Sequence, residues 1–228
     1  MSTTTQIAPK VTQMADEILT RVKITQNPYF TTLYNGKMSK DAFCKSQEEF
    51  YFAVSFFSRP MAQLISRISN PHKRIDILHN IVEEHGDFNP DRFHQTTFQK
   101  FLKTLGSDVE QAIRAQSGPE VNAFNMGLMG ACFAQPTEVG IACLGIIEYA
   151  FAEVSAYIGK SLVHRGWLAE EKIVHYNVHA DLDKEHAAEF FALVEDDIEK
   201  PEVRMLVESG LALGAYIFDR LYRDLYKA

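Results

Sequence analysis

Several scarcities narrow the possibilities before any motif is read. Cys44, Cys132 and Cys143 are the only cysteines, odd in number and without C-x-x-C spacing. That excludes a disulfide framework and a zinc ribbon, and each reads as a buried small residue. Basic charge is also short: 23 Lys and Arg face 30 Asp and Glu, for a formal net charge of −7. The one cationic run is His72-Lys73-Arg74, so no nucleic-acid partner is expected. No uninterrupted apolar run reaches the length of about 18 residues that a membrane span requires, so no membrane partner is expected. The start, Met1-Ser-Thr-Thr-Thr-Gln, lacks a basic segment followed by an apolar one, so no signal peptide is visible. Together these features predict a reducing, cytoplasmic setting. Alternating strand-length runs with hairpin signals, internal repeats and low-complexity segments are missing as well.

What remains is apolar and helical. The chain of 228 residues is 46% hydrophobic and carries 16 Phe and 9 Tyr, ample for a core. Val11, Met14, Ile18 and Val22 keep helical spacing between Ile7 and Lys23, and Asn27-Pro28 breaks that helix. Asn35-Gly36 reads as a C-cap and Ser39 as the N-cap of a long helix to about Ser69, kinked at Pro60 but continuous across it. Further helices are expected from Pro71 to His85, from Asn89-Pro90 to Gly106, and from Ser107 to Ala115. Others follow from Glu120 to Phe133, from Thr137 to Arg165, from Ala169 to Lys200, and from Pro201 onward. No linker is long enough to divide the chain, so residues 1–228 are predicted to form one all-α domain, a bundle of about seven to eight helices.

The stretch with the densest chemistry is His175-Tyr-Asn-Val-His179-Ala-Asp-Leu-Asp183-Lys-Glu-His186. At about 100° per residue, His179, Asp183 and His186 share a helix face with His175 beside them, and Leu182, Phe190 and Leu193 lie near it. The bland reading is a solvated charged stripe. The other is half of a metal site, because ionisable groups turned inward must be paired or bound to a cation. Its partners would be carboxylates and imidazoles in otherwise apolar stretches. Glu148 lies within Ile141-Ala-Cys-Leu-Gly-Ile-Ile-Glu148-Tyr-Ala-Phe-Ala, where its plain alternative is a neutral acid hydrogen-bonded in the core. Glu83-Glu84-His85-Gly86 ends a helix, and His94 follows across a short connection. Glu84 shares the side of Ile77 and Ile81, with Glu83 rotated about 100° away. His72, His79 and His164 read as surface or capping residues.

The candidate ligands are therefore Glu84, His94, Glu148, His179, Asp183 and His186, with Glu83 and His175 as possible additions or substitutes. Oxygen and nitrogen donors without thiolate fit iron, with manganese possible, better than zinc-finger chemistry. So many donors suit two ions about 3.5–4 Å apart rather than one catalytic ion with open positions. A ferritin-like arrangement would need paired Glu-x-x-His motifs, and the chain contains none.

In Asn80-x3-Glu84, the spacing of His94 and Glu148, and His179-x3-Asp183-x2-His186, the sequence resembles the heme-oxygenase-like diiron oxidases. Asn35-Gly36 and Phe50-Tyr51-Phe52 extend the likeness. That family shares a fold with TenA-type thiaminases and pyrroloquinoline-quinone synthase (TenA/PqqC-like) and includes the chlamydial death-domain-associating protein. The resemblance implies a heme-oxygenase-like bundle and a cofactor of two iron ions at the positions above. Relatives that make p-aminobenzoate from their own tyrosine use a lysine where this chain has Ile158, with Lys160 two residues on. Phe30 stands at the tyrosine position with Tyr29 beside it, so that self-consuming reaction is not expected. Residues 1–30 contain no His, so no heme is expected.

The expected function is an O2-dependent non-heme diiron oxidase acting on a small organic substrate, whether fatty acid, amino acid or amine. Tyr51, Phe56, Met126, Met129, Tyr149 and Tyr176 are candidate walls of its substrate pocket, although such a stripe is also ordinary core. Two rivals stand beside it. One is a metal-free TenA-like thiamine-pyrimidine hydrolase, which would need an activated cysteine, and Cys132 and Cys143 are the late candidates. The other is a non-enzymatic helical interaction or regulatory protein. A homodimer through an apolar helix face is expected.

Overall fold

A computed structural model describes residues 8–226, with the side chains of that range except those of residue 174 and residues 177–181. Every regular element among the described residues is helical. Eleven α-helices follow one another: α1 (Pro9–Val22), α2 (Pro28–Tyr34), α3 (Lys40–Val54), α4 (Ser58–Ile65), α5 (Ile75–Glu84), α6 (His94–Leu105), α7 (Val109–Arg114), α8 (Pro119–Ala134), α9 (Thr137–His164), α10 (Val174–Glu195) and α11 (Pro201–Leu225). Short 3-10 turns join several of them. The helical class is the one expected, and the count exceeds the seven or eight read from the sequence.

Two departures from the expected helix bounds have local causes. The apolar period runs unbroken through Pro60, yet the backbone breaks at residues 55–57, one turn before it. Proline offers no N–H to the carbonyl four residues back and its ring crowds that carbonyl, so the chain restarts with Pro60 in the first turn of α4. Asn89 does act as a cap, accepting from Asp91 N at 3.1 Å, but only a single 3-10 turn follows. The real helix begins at His94, so that imidazole opens α6 instead of lying one turn inside it. Other expected ends hold: Ser39 Oγ accepts from Ala42 N at 3.0 Å, and Gly106 closes α6 with φ +99°; Asn27, read only as a break, also caps α2 by accepting from Tyr29 N.

α9 is the axis of the fold, packed most extensively on α10 and α11. It is long and apolar enough to cross a bilayer by length and composition, although Glu148 interrupts its apolar run. Its burial explains that composition, since 78% of the apolar window lies inside the fold. Contact partners fix the directions. Gly210 and Gly214 of α11 lie on Val139 and Cys143, so α9 and α11 run parallel. Gly145 lies on Phe190 and Phe191 while Glu148 faces His186, so α9 and α10 are antiparallel. The middle of α9 is thereby set against the middle of α10, with α5 and α6 closing over the same level.

Candidate metal centre

Glu148 sits at 4% exposure in the middle of α9. From α10, Asp183 and His186 are equally buried, and ligand atoms of these three residues all lie within 4.8 Å of one another. His186 Nδ1 is 4.0 Å from Glu148 Oε1, and its Nε2 is 2.5 Å from Glu83 Oε2 at the end of α5. Glu84, the next residue, reaches His94 Nδ1 at 2.8 Å. Both glutamates left open by the sequence therefore serve the cluster. Adjacent residues at the end of a helix point about 100° apart, and here one meets α10 while the other meets α6.

A sharp connection makes this possible. Gly86 adopts φ +57°, and a Cβ there would stand 2.5 Å from the Arg92 backbone, so only glycine lets the chain double back from Glu84 to His94. Asp87 and Phe88 also take positive φ in this turn.

The electrostatics are one-sided. Burial pushes the Glu148 carboxyl well above its usual range, and the charges of Asp183, Glu84, Glu83 and Glu189 push it further. The hydrogen bond from His186 holds Glu83 below the usual carboxylate value. Burial disfavours charge on His94 and His186, but neighbouring carboxylates outweigh it and both are raised: Glu84 chiefly for His94, Glu83 and Asp183 for His186. Two raised imidazoles are too few for five nearby carboxylates, Glu83, Glu84, Glu148, Asp183 and Glu189. Among the described residues Glu148 Oε1 has no hydrogen-bond partner. A buried carboxylate oxygen in that condition is costly unless a cation takes its lone pairs. The donor set fits a hard-to-borderline divalent metal, with oxygen and imidazole nitrogen but no sulfur.

Other expected residues are distributed as follows. His175 is buried beside the cluster, with Nδ1 3.3 Å from Thr97 Oγ1, and lines the same cavity as Glu84, His94 and Glu148. The side chain of His179 lies outside the described residues. The cavity, about 50 Å³, is walled by Phe50, Phe57, Phe124, Ile147, Phe151 and Phe218. None of the six expected wall residues lines it. Met126 is 58% exposed, and Met129 is half-buried on α8. Tyr149 donates to Asp16 over an outer groove, and Tyr176 donates to Gln47. Tyr51 accepts from Gln99, and Phe56 lies under Arg59. The true walls lie one residue (Phe50, Phe57) or two residues (Phe124, Phe151) from expected ones, a rotation that periodicity over a strongly apolar segment does not resolve.

Glu189 escaped the sequence reading. It stands one turn beyond His186, its carboxylate raised by burial, and accepts from Asn80 Nδ2 at 2.6 Å. Its position three residues after His186 is the signal that was available.

Residues 46–215 match the family described as iron-containing redox enzyme. The chain is 22% identical over 201 residues to the 4-aminobenzoate synthase of Nitrosomonas europaea, covering 83% of this chain and 80% of that protein. Among solved structures it is similar to a TenA homolog from Pseudomonas syringae pv. tomato, with TM-score 0.75, 18% identity and coverage of 98% and 96% of the two chains. It is also similar to a CADD-like protein of unknown function from Nostoc punctiforme, with TM-score 0.75, 16% identity and 95% of each chain covered. These structures establish the heme-oxygenase-like, TenA/PqqC-like all-α fold.

Proposed function

The chain belongs to the iron-containing redox enzyme family, and from that premise we propose that it is a non-heme diiron oxidase that uses O2 to oxidise a small organic substrate. The observation that carries this reading is Glu148, buried in the most apolar helix and facing Asp183 and His186, whose Oε1 has no hydrogen-bond partner among the described residues. The proposed ligands are Glu84, His94, Glu148, His179, Asp183 and His186, with Glu83 added because it already meets His186. When bound, two ferrous ions would supply the electrons that reduce O2.

The protein's own residues prepare the site. Glu83, Glu84, Glu148 and Asp183 supply the negative charge that compensates two divalent ions. Asn80 fixes Glu189, and Thr97 fixes His175, so the groups around the ligands are oriented before metal arrives. Phe50, Phe57, Phe124, Phe151 and Phe218 exclude water from the face opposite the donors. Their uniform apolarity favours a substrate whose distal part is uncharged.

Anaerobic Fe(II) titration followed by O2 exposure, watched by absorption and Mössbauer spectroscopy, tests the reading. Uptake of about two irons per chain and their oxidation by O2 are expected. An absence of stoichiometric uptake would sink it. The likeness to a 4-aminobenzoate synthase makes that product worth assaying. Here Ile158 is buried, Lys160 is exposed, and Tyr29 is tied to Ser46 at 2.7 Å. We therefore expect the intact mass of the chain to be unchanged after turnover, and a loss of side-chain mass would reverse that expectation.

Fold likeness to TenA homologs favours a second reading, metal-free hydrolysis of a thiamine-type pyrimidine. That chemistry needs a thiolate, and the thiols are poorly placed for it. Burial pushes Cys132 up to about 12 and Cys143 well above its usual value, and neither lines the cavity. Burial together with Glu48 and Asp41 raises Cys44 to about 11. A raised value means less thiolate at neutral pH, so alkylation at pH 8 should label Cys44 about a hundredfold more slowly than a free thiol and leave the other two unmodified. A rapidly labelled cysteine whose modification blocks metal-independent hydrolysis would favour this second reading.

A further inference from the structure

Four donors form a ladder from solvent to the buried cluster. His79 on α5 is 57% exposed at its side chain, and its Nδ1 lies 3.8 Å from Glu83 Oε2. Glu83 is 23% exposed and meets His186 Nε2 at 2.5 Å. His186, at 3%, stands 4.0 Å from Glu148 Oε1, at 5%. Exposure falls from His79 through Glu83 to His186 and stays low at Glu148, and the donors alternate imidazole and carboxylate. At the inner end is the Glu148 oxygen that has no hydrogen-bond partner among the described residues.

A second observation flanks the outer half. Glu189 on α10 is within electrostatic reach of Asp76, His79, Glu83 and His186. Asn80 is buried to 1% and fixes it, donating Nδ2 both to Glu189 Oε2 at 2.6 Å and to Asp76 O at 3.1 Å. The bond to Asp76 O draws Nδ2 toward the start of α5. The other limb of the planar amide, Oδ1, is buried and has no hydrogen-bond partner among the described residues. A buried amide oxygen and a half-buried carboxylate beside the ladder make an oxygen-rich wall that suits a partly hydrated divalent cation.

We propose that His79, Glu83 and Glu189 form an outer cation-binding position through which divalent metal is loaded into the buried centre. The inference rests on the reading of that centre as a metal site. A cation entering a dry core must exchange its waters one at a time, and donors spaced a few ångströms apart let each lost water be replaced before the next is shed. Glu83 is the exchange point, because the carboxylate oxygen that faces His79 is the one that faces His186. Glu189 supplies charge at the mouth, where the full hydration shell is still present.

The test is stopped-flow loading of the full chain with Fe(II) or Mn(II) under anaerobic conditions, with final stoichiometry measured separately. His79→Ala and Glu189→Gln lie outside the proposed inner ligand set, and His79 is exposed enough that the fold should tolerate its loss. Each variant should bind the same number of ions as the wild type but load them about tenfold or more slowly. The doubly substituted chain should be slower than either. Wild-type loading rates in both single variants would overturn the loading route while leaving the inner site intact. Failure of the wild-type chain to bind metal at all would instead overturn the reading on which the route depends. A drop in final stoichiometry without slower loading would make these residues inner ligands and would also overturn the proposal.

Discussion

At the scale of single residues, Glu148 concentrates the cost of the metal-free state. Its usual value is 4.5, and burial followed by four neighbouring carboxylates raises it. Above pH 4.5 the unfolded chain releases this proton while the folded chain retains it. Stability of the metal-free protein therefore falls as pH rises from that value until the buried carboxyl itself ionises. Glu148→Gln copies the protonated form. In the absence of metal the variant should be more stable at pH 7 by about 1–3 kcal/mol, the order of an unsatisfied buried polar group. The gain should vanish by about pH 4, where both forms are neutral, and stoichiometric metal uptake should be lost. Urea denaturation at the two pH values with a chelator present checks the first part. Lower stability of the variant at pH 7 would show that Glu148 is satisfied in a way the geometry does not reveal. The sequence exposes Glu148 because a lone charge in an apolar run is visible in one dimension. The paired use of Glu83 and Glu84 is not visible there, since it depends on which helix faces each side of α5.

At the scale of elements, the spacing between helices is set by small residues. A Cβ on Gly145 would lie 2.7 Å from Phe191 Cε1, and one on Gly214 would lie 2.6 Å from Cys143 O. Alanine improves helix propensity by about 0.8–1 kcal/mol in an exposed helix interior, but overpacking a core costs about 1–3 kcal/mol. The steric term should win at Gly214, where the obstacle is backbone, so Gly214→Ala should lower the unfolding free energy. Gly145→Ala has a more local consequence. It presses on Phe190 and Phe191 three residues from Glu148, parting α9 from α10 at the level of the cluster. Metal affinity should fall by more than the stability change alone explains, which parallel denaturation and Mn(II) titrations would detect. Unchanged affinity in a destabilised variant would mean that the cluster adjusts independently of interhelix spacing. Helix positions were largely legible from period and caps. The break at residues 55–57 was not, because an apolar period survives a break that leaves the facing side unchanged. The single 3-10 turn after Asn89 was equally hidden, since a good cap begins a turn without dictating how many follow.

At the scale of the whole molecule, α5, α6, α9 and α10 are held together by hydrophobic burial around a centre whose charges, without metal, oppose closure. Glu83, Glu84, Glu148 and Asp183 come from three of those helices, and His94 and His186, with the more exposed His79 beside Glu83, offset them only in part. A divalent ion bound there reverses the sign of the interaction, so metal binding and folding are coupled. The convergence of α5, α6, α9 and α10 donors is the feature least accessible to one-dimensional reading. The residues could be named from helix faces, but Glu189 went unnoticed because its importance arises from Asn80 on another helix. With free Mn(II) at about a hundred times its Kd, linkage predicts about 2.7 kcal/mol of added stability. For a chain of this size that corresponds to a rise in melting temperature of about 5–10 °C. Metal must compete with protons for the carboxylates and imidazoles, so the rise should shrink as pH falls toward 4.5, the ordinary value of Glu148. Scanning calorimetry with and without Mn(II) at pH 7.5 and pH 5 measures both effects, with His186→Ala as the control expected to show neither. A metal-induced shift that persists in His186→Ala, or that is equal at the two pH values, would place the bound ion at the protein surface instead of between α9 and α10.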